Sequence, residues 1–412
     1  MNEQDKKVPT LRFKGFTNDW EQHKLGDIAN IGDGLHGTPK YDANGKYHFI
    51  NGNNLIDGKI QITKETKRVS YSALSDYDKS LDNLTLLMSI NGTIGQLAFY
   101  NKEPIKLGKS VAYIRFGNLS TLSFYYGALM ASNTQQYFNR RVTGTTIKNL
   151  GLNEIRNFKY PIPSETEQKK IGKLIKLLNA TITLQQRKLD LLKQLKKGLL
   201  QKMFADKDSK RPVLRFKGFH DDWEQRKLSE LIQKGGSGGT PKSTNKAYYN
   251  GNIPFLGISD ISKSNGYIDD TEKYISEKGL DNSSAWIVPK GAISLAMYAS
   301  VGKLAILNTD AATSQAFYNM VFEDVSIRDY VYHRLGKANE FGEWTRLIST
   351  GTQSNLNADK VKNFRIQIPQ IIDEIKNIST FFNQLDSLIA LHQRKQNHLK
   401  LLKKSLLQQM FM

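Results

Sequence analysis

Two long segments of the chain have a pattern of residues at alternating spacings of four and three positions, and fifteen of these twenty residues are apolar. This spacing is the heptad repeat of a coiled coil, so it predicts two helices of about 40 residues, each roughly 60 Å long. We predict that the two helices pair as an antiparallel coiled coil; the alternative is an ordinary pair of core helices inside one globule. The first seam runs through Ile171, Ile175, Leu178, Ile182, Gln185, Leu189, Leu192, Lys196, Leu199 and Met203. The second seam runs through Ile378, Phe382, Leu385, Ile389, His392, Gln396, Leu399, Lys403, Leu406 and Met410.

Both predicted seams have polar residues at the same two levels. Gln185 corresponds to His392, and Lys196 corresponds to Lys403. Polar residues in a seam reduce stability but can fix the register and the partner of a coiled coil. The pattern therefore favours one defined pairing of the helices.

The rest of the chain has the short apolar runs that are typical of β-strands. Residues 85–90 and 292–297 are examples, and clusters of Gly, Asn, Asp and Ser separate such runs. Prolines precede each predicted helix, and the residue before a proline is disfavoured in a helix. We predict an α+β protein in which a mixed α/β domain followed by a long helix occurs twice. The predicted boundaries are 1–160 and 205–367 for the domains, and 161–204 and 368–412 for the helices.

An internal repeat supports this organisation. Residues 11–25 recur as residues 214–228 with 12 of 15 positions identical, and residues 186–204 recur as residues 393–411 with 13 of 19 identical. Between these matched ends the two halves diverge, although short turns such as Gly37-Thr-Pro-Lys40 and Gly239-Thr-Pro-Lys242 survive. A shared frame with different surfaces predicts one fold that is used twice to recognise two different things.

The charge of the chain points to a polyanionic partner. There are 59 Lys and Arg against 39 Asp and Glu, which gives a net charge of +20. Nucleic acid is the commonest partner of such a protein, because binding to phosphates releases condensed counterions. The absence of cysteine excludes disulfides and thiol nucleophiles. We expect a cytoplasmic protein, since residues 1–10 are too polar for a secretory signal and no apolar run is long enough to span a membrane.

The sequence lacks the motifs that would give this chain an activity of its own. No two prolines are adjacent, which excludes the Asn/Asp-Pro-Pro-aromatic motif of amino-methyltransferases, and neither a phosphate-binding loop nor a nucleophile elbow is present. A weak nuclease-like pattern of Asp57, Glu65 and Lys67 is more simply explained as surface charge. No histidines have metal-ligand spacing, so we expect no metal site and no catalytic residues. A basic, duplicated chain of this kind is expected to position the active site of another protein.

Together these features resemble the specificity subunit of type I restriction-modification enzymes. The resemblance covers essentially the whole chain and depends on the Gly-Thr-Pro turn, on the helix start Pro163-Ser-Glu-Thr-Glu-Gln-Lys-Lys-Ile171 and on the terminal Leu-Leu-Gln-x-Met-Phe. The second copy departs from the pattern, because Pro369-Gln-Ile-Ile-Asp-Glu-Ile375 lacks the Glu-Gln pair. That departure leaves open how the second helix is capped.

The resemblance implies a complete functional scheme. Each α/β domain would be a target recognition domain for one half-site of an asymmetric double-stranded DNA sequence, and the paired helices would fix the spacing between the half-sites. The helices would also bind two methyltransferase subunits, which use S-adenosylmethionine to methylate adenine N6 after base flipping. Two restriction subunits, dependent on ATP and Mg²⁺, would complete the nuclease. The chain itself would hold no cofactor.

The candidate DNA contacts are polar or cationic residues beside glycine turns. Such side chains can hydrogen-bond base edges or phosphates, although each could equally be a plain turn residue. In the first domain they are Thr38, Lys40, Asn91, Thr93, Lys109, Ser110, Thr145, Thr146 and Lys148. In the second they are Thr240, Lys242, Tyr298, Ser300, Lys303, Ser314, Gln315, Thr352, Gln353 and Asn355.

Three other functions remain open at this stage. The chain could be a standalone methyltransferase or nuclease, although the missing motifs argue against it. It could be a coiled-coil adaptor without a DNA role, in which case its binding to partners would be insensitive to salt. It could also be a specificity-like DNA reader in a different defence complex.

Overall fold

The computed structural model describes residues 8–70, 81–348 and 355–411. They form two compact units, and each unit takes its chain from both repeats. The first unit consists of residues 1–186 and 395–412, and the second consists of residues 187–394. Each unit therefore combines one α/β domain with parts of two long helices.

The first unit contains small sheets of mostly antiparallel strands. Its strands are β1 (Glu21–Lys24), β2 (Ala29–Asp33), β3 (Tyr47–Ile50), β4 (Leu55–Ile56), β5 (Lys59–Ile60), β6 (Arg68–Val69), β7 (Thr85–Ser89), β8 (Leu97–Phe99), β9 (Ile105–Leu107), β10 (Val111–Phe116) and β11 (Lys159–Ile162). The largest sheet has the order β2-β10-β7-β8 and is antiparallel throughout. A second sheet has the order β6-β3-β9, in which β3 and β9 are parallel. Strand β1 pairs with β11, and β4 pairs with β5.

Four short helices and one long helix complete the first repeat. They are α1 (Leu25–Ile28), α2 (Leu122–Met130), α3 (Ser132–Asn139), α4 (Leu152–Arg156) and α5 (Glu165–Met203). Residues 165–186 of α5 belong to the first unit, and the remainder belongs to the second unit.

The second repeat has the same plan with a larger central sheet. Its strands are β12 (Glu224–Lys227), β13 (Lys234–Ser237), β14 (Ile253–Leu256), β15 (Tyr267–Ile268), β16 (Lys273–Ile275), β17 (Ile293–Ala296), β18 (Leu304–Leu307), β19 (Ala312–Thr313), β20 (Phe317–Val321) and β21 (Arg365–Ile368). Its helices are α6 (Ile258–Lys263), α7 (Glu277–Asp281), α8 (Val325–Glu340), α9 (Ala358–Lys362) and α10 (Ile372–Met410). The sheet orders are β13-β20-β17-β18-β15, β16-β14-β19 and β12-β21.

The central strands explain why these domains fold around sheets. Every residue of β7 and of β17 is buried, so both faces of each strand are covered. An uninterrupted run of small and apolar residues suits such a strand, because no position faces water. The sequence runs at 85–90 and 292–297 therefore form β-strands, as predicted, and both strands lie in the interior of their sheets.

In each unit the start of one long helix lies beside the end of the other. In the first unit Gln186 is hydrogen-bonded to Gln396, and Ile175 shares a core with Leu407 and Met410. In the second unit Lys196 on α5 forms an ion pair with Asp386 on α10 at 2.5 Å. Residue numbers rise along one helix as they fall along the other, so the helices are antiparallel within each unit. The predicted fold class is confirmed.

The predicted seam positions face inwards. Leu192, Leu199, Leu178, Ile182, Ile389, Leu399 and Leu406 are half-buried, and Ile171, Ile175, Ile378, Phe382 and Leu385 are buried. The polar seam residues Gln185 and His392 are also buried. Seven of these twelve apolar residues keep part of their surface in water, so the seam is only partly shielded.

The aromatic residue that follows each helix completes the core of a domain. Phe411, after α10, lies 5.5 Å from Phe124 of the first domain, measured between ring centres. Phe204, after α5, lies 5.1 Å from Tyr330 of the second domain. Each of these phenylalanines is buried, so each α/β domain depends on a helix end contributed by the other repeat.

A buried ion pair ties the beginning of each domain to the helix that follows it. Arg12 donates two hydrogen bonds to Glu167, at 2.7 and 2.8 Å, and Arg215 makes the same pair of bonds to Glu374, both at 2.7 Å. The glutamate side chains are 1% exposed and the arginine side chains 13%. Glu374 thus provides in the second copy what Glu167 provides in the first, although the Glu-Gln pair is missing there.

The aromatic residues of the repeated segments 11–25 and 214–228 contact the helices. The indole NH of Trp223 donates a hydrogen bond to Glu374 at 3.3 Å. In the first copy Trp20 packs on Phe124, and the ammonium of Lys170 on α5 lies 4.8 Å from the ring centre of Phe16. Each repeated segment therefore contacts the long helix of its own repeat, although through different side chains.

We expect Arg215→Ala to destabilise the second unit by about 3–5 kcal/mol, because it leaves the buried carboxylate of Glu374 without its cation. Urea unfolding followed by tryptophan fluorescence measures this change. Arg211→Ala is the matched control: Arg211 bonds Asp222 at the same distance, 2.7 Å, but on the surface. The control should cost no more than about 1 kcal/mol. Equal losses in the two variants would show that burial of the Arg215 pair has no special role.

Candidate nucleic-acid interface

Main-chain hydrogen bonds gather four loops of the first domain at one place. The amide of Lys109 donates to the carbonyl of Leu35 at 3.0 Å, and the amide of Gly92 donates to the carbonyl of Lys148 at 2.9 Å. The amide of Ile90 donates to the carbonyl of Ser110 at 2.9 Å. The loops 34–40, 90–96, 108–110 and 143–149 are therefore neighbours, although the sequence separates them by up to a hundred residues.

All the candidate residues of the first domain lie on these four loops. Seven are exposed and available to a ligand: Thr38, Lys40, Thr93, Lys109, Thr145, Thr146 and Lys148. Asn91 and Ser110 are half-buried. The structure thus brings the predicted set together on one surface, with cationic and hydroxyl groups interleaved.

The half-buried members hold the loops in place. The hydroxyl of Ser110 donates to Asn51 at 3.1 Å and accepts from the amide of Gly52 at 3.1 Å. The side-chain amide of Asn91 donates to the carbonyl of Lys109 at 3.4 Å. Asn51 was not among the predicted residues. The run Asn51-Gly-Asn-Asn54 is typical of a loop, and it was the feature of the sequence that could have indicated this residue.

The second domain assembles its loops in the same way. The main-chain amide of Gly239 donates a hydrogen bond to the carbonyl of Thr313 at 2.9 Å. In the same way the amide of Met297 donates to the carbonyl of Ala316 at 2.7 Å, and the amide of Leu356 donates to the carbonyl of Met297 at 3.0 Å. The side chains of Thr240 and Gln315 are hydrogen-bonded to each other. Thr240, Lys242, Ser300, Lys303 and Gln315 are exposed, whereas Tyr298, Ser314 and Asn355 are half-buried. Thr352 and Gln353 lie outside the described residues.

The two surfaces share a frame but differ in the side chains that they present. In the first domain the amide of Leu150 donates a hydrogen bond to the carbonyl of Ile90 at 2.8 Å. The amide of Leu356 makes the corresponding bond to the carbonyl of Met297 in the second domain. Equivalent turns are closed by hydrogen bonds from the amide of Gly95 to the carbonyl of Ser89 at 2.9 Å and from the amide of Gly302 to the carbonyl of Ala296 at 3.0 Å. The side chains beyond these turns differ, with Asn91 and Thr93 in one domain and Tyr298 and Ser300 in the other.

A basic cleft of about 600 Å³ lies next to this surface in the second unit. Four lysines line it, Lys193, Lys196, Lys197 and Lys303, together with Glu340 and Asp386, which form ion pairs with Lys197 and Lys196. Lys303 also belongs to the candidate set. His333 lies in its wall, where burial lowers the pKa of the imidazole to about 4. The imidazole is therefore neutral near pH 7, and its Nε2 lies 2.8 Å from the side-chain oxygen of Asn383. The cleft adds positive charge next to the candidate contacts.

Within the described residues, a metal site would need several His, Asp or Glu side chains close together. In this part of the chain no group of three or more His, Asp or Glu side chains could hold a metal ion. Asp57 lies in the turn between β4 and β5 with a φ of 50°, and the ammonium of Lys67 lies 5.8 Å from the ring centre of Tyr41. Across the same residues, no helix has the length and apolar character needed to cross a bilayer.

Comparison with known proteins gives a consistent result. The family model for the type I restriction modification DNA specificity domain matches residues 17–194 and 220–401, one copy for each repeat. The MjaIX specificity subunit of Methanocaldococcus jannaschii is 32% identical over 180 residues, which are 43% of this chain and 41% of that protein. The MjaVIII specificity subunit of the same organism is 21% identical over 413 residues, covering 94% of this chain and 91% of the relative.

A solved structure shows the same fold along the whole chain. The S subunit of a type I restriction-modification system from M. genitalium superposes with a TM-score of 0.64 at 14% identity, covering 98% of this chain and 99% of that one. At this identity the likeness concerns the fold alone, whereas the two family matches cover most of the sequence. The chain belongs to the type I restriction-modification DNA specificity family.

Proposed function

We propose that this chain reads one asymmetric DNA target in two parts, with one half-site for each α/β domain. The observation that carries the proposal is the pair of loop surfaces, which share a main-chain frame and present different side chains. Sequence is read by side chains at base edges, so two different surfaces on one frame suit two different half-sites. The net charge of +20 supplies the general attraction to phosphates.

The exposed candidates divide by chemistry into two roles. Lys40, Lys109 and Lys148 in the first domain, with Lys242 and Lys303 in the second, bind phosphates and set the position of the protein on DNA. The exposed hydroxyl and amide side chains contact base edges. Asn91 and Ser110 support the loops, because their side chains already bond neighbouring main chain or Asn51.

The chain is non-catalytic and directs the chemistry of partner subunits in the cytoplasm. The partners are two methyltransferase subunits, which use S-adenosylmethionine to methylate adenine N6, and two restriction subunits that use ATP and Mg²⁺. The paired helices fix the number of unspecified base pairs between the half-sites. None of these small molecules binds to this chain itself.

Exposed leucines outside the seam provide a surface for the methyltransferase subunits. In the second unit Leu191 and Leu195 on α5, and Leu388 and Leu391 on α10, are exposed. The first unit has Leu177, Leu184, Leu401 and Leu402 in the same state. Leucines exposed on a helix pair favour a protein partner, because the contact removes apolar surface from water. One such group in each unit agrees with two copies of the partner.

Single-molecule methylation sequencing tests the function as a whole. The host lacks DNA methylation and expresses this chain together with its methyltransferase subunit. We expect N6-methyladenine in one split, asymmetric motif with a fixed gap. If the two proteins assemble and the host DNA stays unmethylated, the proposal fails, and an adaptor or a reader in another defence complex becomes the better explanation.

Replacing Lys40, Lys109 and Lys148 together by Gln should make DNA binding less dependent on salt. Each lost phosphate contact lowers the slope of log K against log salt by about 0.9. Binding is measured by fluorescence anisotropy between about 50 and 200 mM salt. The control replaces Lys14, Lys24 and Lys159, which are exposed but lie outside the four loops. Equal slopes in the two triple variants would exclude the assignment of these lysines to phosphates.

Leu191→Glu combined with Leu391→Glu should weaken binding of the methyltransferase subunit at least tenfold. The fold should change little, because both side chains are exposed and surface changes usually stay within about 0.5 kcal/mol. Analytical ultracentrifugation of the two purified proteins measures the assembly. The control, Gln194→Glu with Ser387→Glu, adds the same charge to the same two helices. Full assembly in the leucine variant would place the methyltransferase elsewhere.

A further inference from the structure

One loop of the first recognition surface presents a large apolar side chain to water. Ile147 is 68% exposed, which is the highest value for any large apolar residue among those described between residues 8 and 162. The next is Leu119, at 54%. A single exposed apolar side chain is common on protein surfaces, so the position of Ile147 among the candidate DNA contacts, and the structure of its loop, must carry the argument.

The loop that carries Ile147 is closed and braced. Thr143 and Asn149 exchange two main-chain hydrogen bonds, at 2.9 and 2.8 Å. Gly144 has a φ of +89°, and a Cβ at this position would lie 2.3 Å from the carbonyl oxygen of Ile147. The bond from Gly92 to Lys148 fixes the loop to the neighbouring turn. The exposure of Ile147 is thus set by a built turn, which points to a defined use.

The side chains next to Ile147 are suited to the edges of base pairs. Thr145, Thr146 and Lys148 are exposed and offer hydroxyl and ammonium groups. In the major groove the C5-methyl of thymine is the apolar group on the base edges, beside hydrogen-bond donors and acceptors. Isoleucine is branched at Cβ and has few rotamers, so little side-chain freedom is lost when it makes such a contact.

We propose that Ile147 recognises a thymine in the first half-site through the C5-methyl group of that base. The proposal rests on the proposed function, since it needs the four loops of the first domain to face DNA. It adds a specificity residue of a different kind, which reads DNA by apolar contact. The corresponding stretch of the second copy, Thr350-Gly-Thr-Gln-Ser-Asn355, has no apolar side chain in its sequence. The second half-site is therefore read without this contact.

Replacing thymine by uracil tests the contact, because uracil lacks only the methyl group. The full chain, assembled with its methyltransferase subunit, is bound to its target duplex, in which each thymine in turn is replaced by deoxyuridine. We expect one position in one half-site where the dissociation constant rises about three- to fivefold, the value of one buried methyl group. The same replacement should leave Ile147→Ala unaffected, so the two effects should not add. Leu119→Ala, an exposed apolar residue outside the four loops, should respond to uracil as the unchanged protein does.

Several results would overturn the proposal. One is equal binding of every uracil-containing duplex by the unchanged protein, and another is an unchanged thymine preference in Ile147→Ala. Loss of assembly with the methyltransferase in Ile147→Ala would show that the residue contacts protein. A rise in the fluorescence of 2-aminopurine placed in the duplex, if it depends on Ile147 and uracil has no effect, would show that the side chain inserts between base pairs. Absence of any sequence-specific binding by the unchanged protein would instead contradict the proposed function itself.

Discussion

The buried pairs Arg12–Glu167 and Arg215–Glu374 connect two places that the chain keeps about 155 residues apart. In each repeat they join the segment before the recognition domain to the first turn of the helix after it. A carboxylate that is 1% exposed tolerates this position only because a guanidinium meets it with two hydrogen bonds. The beginning and the end of each domain are thereby held together, and the helix leaves the domain from a fixed point.

The loop surfaces are built on the ends of the central sheets. Buried strands such as β7 end at turns whose main-chain bonds reach loops from other parts of the chain. The side chains at the tips of these turns are then free to vary, because the frame uses amides and carbonyls that every residue except proline supplies in full. A duplicated frame of this kind can carry two unrelated half-site specificities on one chain.

Much of the architecture could be predicted from the sequence, because heptads and internal repeats are local or self-similar signals. The two long helices are present, and the apolar runs at 85–90 and 292–297 form strands, as the pattern predicts. The role of Glu374 was not predicted, because the starts of the two long helices were compared by their sequence motif. Residues 186 and 393 correspond to each other at an offset of 207 positions, and the same offset aligns Glu374 with Glu167. The meeting of four loops in the first domain could not be predicted, because long-range hydrogen bonds such as that from Gly92 to Lys148 produce no periodic pattern in the sequence. A role for Ile147 could be proposed only after the structure had shown that its side chain is exposed.

The composition of the units has a consequence for how the protein is made. Residues 187–394 form one uninterrupted stretch of chain, so the second unit has all of its parts before synthesis reaches residue 395. The first unit needs Leu407, Met410 and Phe411 to fill its core, and these are synthesised only after the whole of the second unit. Vectorial synthesis normally favours the N-terminal domain. Here the nascent first domain has part of its core open to water until residues 407–411 have been synthesised.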